Sequence, residues 1–257
     1  MSFHNDADPR KSKAVIPAST MRRRQLIVLS GQISNYRKDV SFMADFSRRL
    51  PVYLLLDCSG SMMGEPIEAV RQGIKALLSE LKGNPQALET AYLSVITFDS
   101  SARQVTPLTE LMAFTEPQIN ASGATAMGGA LNVLMDCAKK EVRKASEGQK
   151  GDWRPLVFIL TDGAPTDIST FNKAVQDLQT FKFGNIIACA AGSNAETSYL
   201  KQITPNVLMM NTISAGDLAE FFAWVSASIG VSAKACDEKP GENIVLPPPP
   251  TGFVVVP

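Results

Sequence analysis

The chain has 257 residues, 45% apolar and 19% charged, an ordinary globular composition with material for one large domain and its tails. Its formal charge of zero hides a division: ten Lys/Arg against four Asp within residues 1–49 give +6 there, which leaves −6 for the remainder. An acidic main domain argues against nucleic acid as its own ligand, and four dispersed cysteines (Cys58, Cys137, Cys189, Cys236) with no Cys-x-x-Cys pair indicate neither a disulfide framework nor a thiolate zinc site.

Residues 1–47 read as a basic arm of little order, polar and broken by Pro9 and Pro17, with Met43 as an alternative start. After Arg22–Arg24 the apolar stretch 26–29 is too short for a signal peptide. Nothing in the chain approaches the roughly 20 apolar residues needed to cross a bilayer. A cytoplasmic protein without a membrane partner is expected.

A domain is expected over residues 48–231. Val52 to Leu56 form an unbroken apolar run that stops at Asp57, the pattern of a central strand buried on both faces. Gly64-Glu-Pro66 opens a helix with Ile67, Val70, Ile74, Leu77, Leu78 and Leu81 at helical spacing, and Gly83-Asn84-Pro85 stops it. A strand over 91–98 turns at Asp99-Ser-Ser101 into a short antiparallel edge strand, 102–106. The loop Asn120-Ala-Ser-Gly-Ala-Thr125 opens a helix over 127–145. A second apolar strand, 156–161, ends at Asp162, after which Thr166 or Asp167 can cap a helix running to about residue 180. A strand over 185–191, a helix near 196–203, a strand over 207–210 and a helix over 215–229 complete the domain. The alternation predicts a doubly wound, mostly parallel six-stranded α/β sheet with one antiparallel edge strand and helices on both faces. Residues 232–257 read as a tail whose Pro247–Pro250 run favours polyproline II, able to dock on a partner's aromatic groove or to pack back on the domain.

In such a sheet ligands bind at the carboxyl ends of the strands, where the strand order reverses. Asp57, Ser59 and Ser61 follow the first strand, Thr125 precedes the long helix, and Asp162 follows the second apolar strand. Two carboxylates and three hydroxyls suit a small, hard cation: Mg²⁺ first, Mn²⁺ as an alternative, and Ca²⁺ less well because it favours more carboxylates. Neutral hydroxyls leave the metal able to accept an incoming anionic oxygen. Asp99, Asn120 and Asp167 are expected as caps or turn residues.

Asp57-x-Ser59-x-Ser61, Ser122-Gly-Ala-Thr125 before a helix, and Leu160-Thr-Asp162-Gly together resemble the von Willebrand factor type A domain over residues 50–230. The resemblance implies a Rossmann-like fold and a metal-ion-dependent adhesion site. In it Ser59, Ser61 and Thr125 face the metal, Asp57 and Asp162 bind it directly or through water, and a partner protein supplies a Glu or Asp. Within that family the chain is similar to the bacterial TerY-type proteins of tellurium resistance and stress. The similarity lies in Arg49-Leu-Pro-Val-Tyr-Leu-Leu-Leu-Asp57, in Leu160-Thr-Asp-Gly-x-Pro-Thr-Asp167 and in the proline-rich end; the Cys/His zinc-ribbon extension of some relatives is missing. That similarity implies kinase-like and phosphatase partners.

Three other functions fit the residues poorly. Serine or cysteine hydrolysis needs an imidazole base, and the one histidine is His4 in the arm. Mg²⁺-dependent phosphoryl transfer through Asp57 would leave Ser59 where dehalogenase-like phosphatases place a second aspartate. A nucleotide-binding Rossmann-like domain needs Gly-x-Gly-x-x-Gly after the first strand, which Ser59-Gly-Ser-Met-Met-Gly64 does not supply. The sequence therefore reads as a non-enzymatic interaction module.

Overall fold

The computed structural model describes residues 48–147, 149–192, 195–238 and 246–257; the basic arm expected over 1–47 lies outside them. The strands are β1 (Leu50–Asp57), β2 (Ala91–Phe98), β3 (Ala102–Glu110), β4 (Leu156–Thr161), β5 (Asn185–Ala191), β6 (Val207–Met210) and β7 (Phe253–Val255). The helices are α1 (Glu65–Lys82), α2 (Pro85–Thr90), α3 (Met127–Glu141), α4 (Ile168–Leu178), α5 (Thr197–Ile203) and α6 (Ala215–Glu238). Together the strands build one sheet in the order β3-β2-β1-β4-β5-β6-β7. β2, β1, β4, β5 and β6 run parallel, and β3 and β7 are antiparallel edges.

β1 lies at the centre because all eight of its residues are buried. Its side chains alternate between two layers, as the two-residue period of a strand requires. Leu50, Val52, Leu54 and Leu56 pack under α1, α2 and α6; Tyr53 and Leu55 pack under α3, α4 and α5. Each fully buried leucine contributes roughly 1.5–3 kcal/mol. The chain leaves β1 toward β2 on one side, while β4 pairs with β1 on the other, Leu56 beside Leu160. The reversal of strand order therefore falls between β1 and β4, and their carboxyl ends form the crest at which Asp57 and Asp162 emerge.

Several expectations need correction. The sheet has seven strands, not six, and two antiparallel edges, not one. The seventh comes from the segment expected as a tail: Phe253 stacks on Phe221 with ring centroids 6.5 Å apart, and the Trp224 indole N–H donates to the Pro247 carbonyl at 3.1 Å. Of the two fates open to the proline segment, it packs back. β3 continues past 106 to Glu110, through register shifts. Asn84-Pro85 both follows the stop of α1 and starts α2, with Asn84 Oδ1 accepting the Ala87 N–H at 3.1 Å. α3 ends at Glu141 and not at 145, because the Arg143 N–H is drawn to Asp152 Oδ2 at 2.8 Å. α6 runs on from 229 to Glu238.

Candidate metal centre

The crest assembles from three loops. In the first, directly after β1, the Ser59 N–H donates to Asp57 Oδ1 at 2.8 Å, turning the chain into a short 3₁₀ segment, Gly60–Met62. The Thr161 hydroxyl at the end of β4 donates to Asp57 Oδ2 at 2.6 Å. Asp57 is fully buried and both of its oxygens are engaged. Ser59 Oγ lies 3.0 Å from Ser61 Oγ, and the Ser61 hydroxyl donates to Asp162 Oδ1 at 2.8 Å. Asp57, Ser59, Ser61 and Asp162, spread over more than a hundred residues of sequence, are thus joined in one chain of hydrogen bonds.

Thr125 arrives from the irregular segment after β3. Gly123 turns that segment with φ of 74°, a conformation that a side chain disfavours. The segment is tied to the first loop by Gly60 N–H to Gly123 O (3.0 Å) and Ser122 N–H to Cys58 O (2.8 Å), and Ala124 N–H donates to the Ser100 hydroxyl at 3.0 Å. Arg71 on α1 holds the same segment through the Ile119 carbonyl and Asn120 Oδ1. Thr125 is buried, and its hydroxyl sits 3.6 Å from where a Cβ on Gly163, the residue after Asp162, would lie. All five sequence-predicted site residues therefore converge at the crest. Only Ser61 among them is solvent-exposed, so the cluster opens outward on its side.

Electrostatically the cluster is unfinished. Burial pushes both the Asp57 and the Asp162 carboxyl above the ordinary carboxylate range, and the Asp162 charge raises Asp57 further. The hydrogen bonds from Thr161 and Ser59 oppose the shift on Asp57, and those from Ser61 and Ser59 oppose it on Asp162. No lysine or arginine forms an ion pair with either carboxylate among the described residues. Two desolvated carboxylates beside neutral hydroxyls fit a hard divalent cation, which would supply the missing positive charge through oxygen ligands alone. No cluster of three His, Cys, Asp or Glu side chains occurs among the described residues, so the two carboxylates would share any cation with neutral oxygens.

Three contributors were not legible as site residues in the sequence. Thr161 matters because strand register sets it beside Asp57, which spacing alone does not show. Thr166 and Asp167 act across elements: Asp167 occupies the N-cap position of α4 but makes no side-chain bond to that helix. Its carboxylate accepts the Gly128 and Gly129 N–H groups of α3 instead, at 3.0 and 2.8 Å. Asp99 does behave as a turn residue, accepting the Ser101 N–H at 2.9 Å.

A doubly wound sheet carrying an all-oxygen, carboxylate-and-hydroxyl cluster at its switch point defines a class of α/β domain built around a divalent-cation centre. The chain belongs to the von Willebrand factor type A domain family, whose model matches residues 52–222. Domains of this family are metal-dependent protein-interaction folds. Among curated proteins it is 34% identical over 126 residues to an uncharacterized protein of Synechocystis (46% of this chain, 27% of that one). It is 30% identical over 132 residues to the E3 ubiquitin-protein ligase WAVH1 of Arabidopsis thaliana (46% of this chain, 18% of that one). The chain therefore spans about a quarter or less of the length of these relatives. Among solved structures it is similar to a von Willebrand factor type A protein from Catenulispora acidiphila, with a TM-score of 0.55 and 20% identity over 72% of this chain and 43% of that one. It is also similar to the mussel byssus proximal thread matrix protein 1 with a zinc-occupied metal-ion-dependent adhesion site, with a TM-score of 0.52 and 20% identity over 74% of this chain and 47% of that one.

Proposed function

We propose that this domain captures an acidic side chain of a partner protein through a Mg²⁺ ion held by Asp57, Ser59, Ser61, Thr125 and Asp162, with Mn²⁺ as an alternative ion. The observation that carries the reading is the pair of buried carboxylates with no cationic side chain among the described residues to balance them, opening to solvent on the Ser61 side. When bound, the ion supplies positive charge and a position for an anionic oxygen. The protein's own residues do the rest. Ser59 N–H and Thr161 Oγ–H fix the Asp57 carboxylate, Ser61 orients Asp162, and the backbone bonds to Gly123 and Ser122 hold the loops in register.

We read the module as non-enzymatic. The complete burial of Asp57, with both oxygens engaged, weighs against a phosphoryl acceptor there. Similarity to TerY-type proteins supports a place in a cytoplasmic bacterial stress or tellurite-resistance assembly, with kinase-like and phosphatase proteins as the partners to test first. No helix among the described residues is long and apolar enough to cross a membrane. Affinity capture from a lysate of the source organism, in Mg²⁺ and in EDTA, with wild type and Asp57→Ala, tests the proposal. A protein held only by wild type in Mg²⁺, and released by free carboxylate-bearing peptide, supports it. Equal capture under every condition overturns it.

A further inference from the structure

Thr125 is the proposed ligand farthest along the chain from a strand. Asp57 and Asp162 stand at the ends of β1 and β4, whereas Thr125 ends an irregular stretch that begins after β3 at Glu110. A hydroxyl meant to share a cation must nevertheless be held to a fraction of an ångström, and that requires fixed backbone around it. Ser122, Gly123 and Ala124 are tied to the β1 and β2 loops, and the Ala126 N–H donates to the Asp99 carbonyl at 2.7 Å; the tie to the Asp162 loop comes from two residues beyond Asp162. Thr166 N–H donates to the Thr125 carbonyl at 2.9 Å, and Thr125 N–H donates back to Thr166 Oγ1 at 3.2 Å. Asp167 then takes the Gly128 and Gly129 N–H groups, one on each carboxylate oxygen.

Those two amides are among the unpaired donors at the start of α3, and the N-cap residue of that helix, Ala126, makes no side-chain bond to them. A carboxylate there also meets the positive end of the helix dipole. The backbones touch as well: a Cβ on Gly128 would lie 2.3 Å from the Phe171 nitrogen, so only glycine lets α3 rest on the first turn of α4. A residue serving only its own helix would cap α4. Asp167 does not, and instead ties down the amides that begin three residues after Thr125.

We propose that Thr166 and Asp167 are positioning residues for the metal centre, welding the Thr125 loop and the Asp162 loop into one rigid unit so that the threonine hydroxyl is preset for the cation. This rests on the metal-centre reading above, and it adds a requirement which that reading lacks: metal affinity depends on two side chains that do not touch the metal.

The test is Mn²⁺ affinity of the full chain, read by water-proton relaxation, together with hydrogen exchange of the Gly128 and Gly129 amides. Thr166→Val removes the acceptor without changing charge, and Thr166→Ser restores it. Asp167→Asn keeps one acceptor oxygen but no charge, and Asp167→Ala keeps neither. Thr166→Val and Asp167→Ala are each expected to weaken Mn²⁺ binding by about tenfold or more, the usual size of such outer-sphere effects, while Thr166→Ser stays within about twofold of wild type. Asp167→Asn is expected between Asp167→Ala and wild type, with exchange at Gly128 and Gly129 accelerated most in Asp167→Ala. Mn²⁺ affinities for Thr166→Val and Asp167→Ala within about twofold of wild type, whatever their melting temperatures, would overturn the positioning role. Asp167→Asn as weak as Asp167→Ala beside an unaffected Thr166→Val would reduce Asp167 to a bulk charge. Failure of the metal-centre reading looks different: wild type and Asp57→Ala would then take up Mn²⁺ equally, and faster exchange in Asp167→Ala would mark a purely structural clasp.

Discussion

At the base of the sheet, where β1 begins, Arg49 meets Asp152 at 2.6 Å, with the two side chains only 11% and 2% exposed. Asp152 also accepts the Arg143 N–H, Arg49 donates to the Glu141 carbonyl, and Arg48 lies 3.5 Å over the Trp153 ring. Glu141 in turn accepts from Tyr53, Gln104 and the Leu108 backbone. At the crest, seven residues along β1, Asp57 and Asp162 are equally well buried but among the described residues are met by hydroxyls and amides alone. At the base Asp152 meets its counter-ion in Arg49; at the crest no lysine or arginine among the described residues pairs with either carboxylate. That contrast distinguishes a structural polar network from a binding centre more sharply than burial or hydrogen-bond number does, since both ends are rich in hydrogen bonds.

The largest test of the contrast is at the base. Asp152→Ala strands the Arg49 guanidinium and frees the Arg143 amide, and is expected to cost about 3–5 kcal/mol in urea unfolding, the range for breaking one side of a buried pair. Mn²⁺ affinity should not move. Asp57→Asn at the crest should behave in the opposite way. In metal-free protein it removes a desolvated charge and keeps an acceptor, so stability is expected within about 1 kcal/mol of wild type. An Asp57→Asn loss as large as that of Asp152→Ala would show that the crest is closed electrostatically after all.

Adding the cation comes next in size. Mg²⁺ at a hundred times its dissociation constant should stabilise wild type by about 2.7 kcal/mol and leave Asp57→Asn unchanged, read as the shift in urea midpoint. A shift in both would place the ion elsewhere.

Acidity sharpens the comparison further. The folded Asp57 and Asp162 carboxyls are raised above their unfolded values, so in the interval between the two values the folded state binds more protons. Stability of the metal-free protein must then fall as pH rises from the ordinary carboxylate range through the raised values. The chain's single histidine is His4, and the buried Cys58 and Cys189 thiols are pushed up, away from neutrality, which leaves carboxylates to dominate below pH 7. Metal-free wild type is expected to gain stability when acidified from neutral pH toward the carboxylate range, while the Mg²⁺ increment shrinks over the same interval because protons compete for the same oxygens. Asp57→Asn should flatten both trends. A metal-free protein that loses stability throughout that interval would contradict the raised carboxyl values.

Much of this was legible in the sequence. The run Val52–Leu56 stopping at Asp57 is what a central parallel strand looks like, and its repetition at Leu156–Asp162 fixed both carboxylates at one crest. What escaped depends on pairing across distance. Thr161 reads as one more strand residue until register sets it against Asp57. Asp167 reads as a cap for the helix that follows it, because spacing shows only the nearest helix and not the one packed alongside. β7 escaped because three residues after a proline run carry too little periodicity to announce a strand, and their pairing is licensed by Phe221 and Trp224 on α6. The Arg143–Asp152 bond that ends α3 early has the same character: local propensity favoured a longer helix, and a contact nine residues away prevailed.

The smallest expected effect bears on whether the two ends are independent, which the contrast between them assumes. Tyr53 lies in β1 between base and crest, wholly buried, with its hydroxyl 3.0 Å from Glu141 Oε2. Burial raises the phenol, and the Glu141 charge raises it further, so it stays protonated at any ordinary pH and serves only as a donor. Tyr53→Phe removes that donor while Glu141 keeps Gln104 and the Leu108 amide, so the carboxylate is not stranded. A loss of about 1 kcal/mol in urea is expected, with the Mg²⁺ increment unchanged. A loss near that of Asp152→Ala would mean that the base acts as one cooperative network in which no member can be removed singly. A change in the Mg²⁺ increment would be the more consequential result. It would mean that the strand carries strain from one end to the other, so that the closed base helps set the geometry of the open crest.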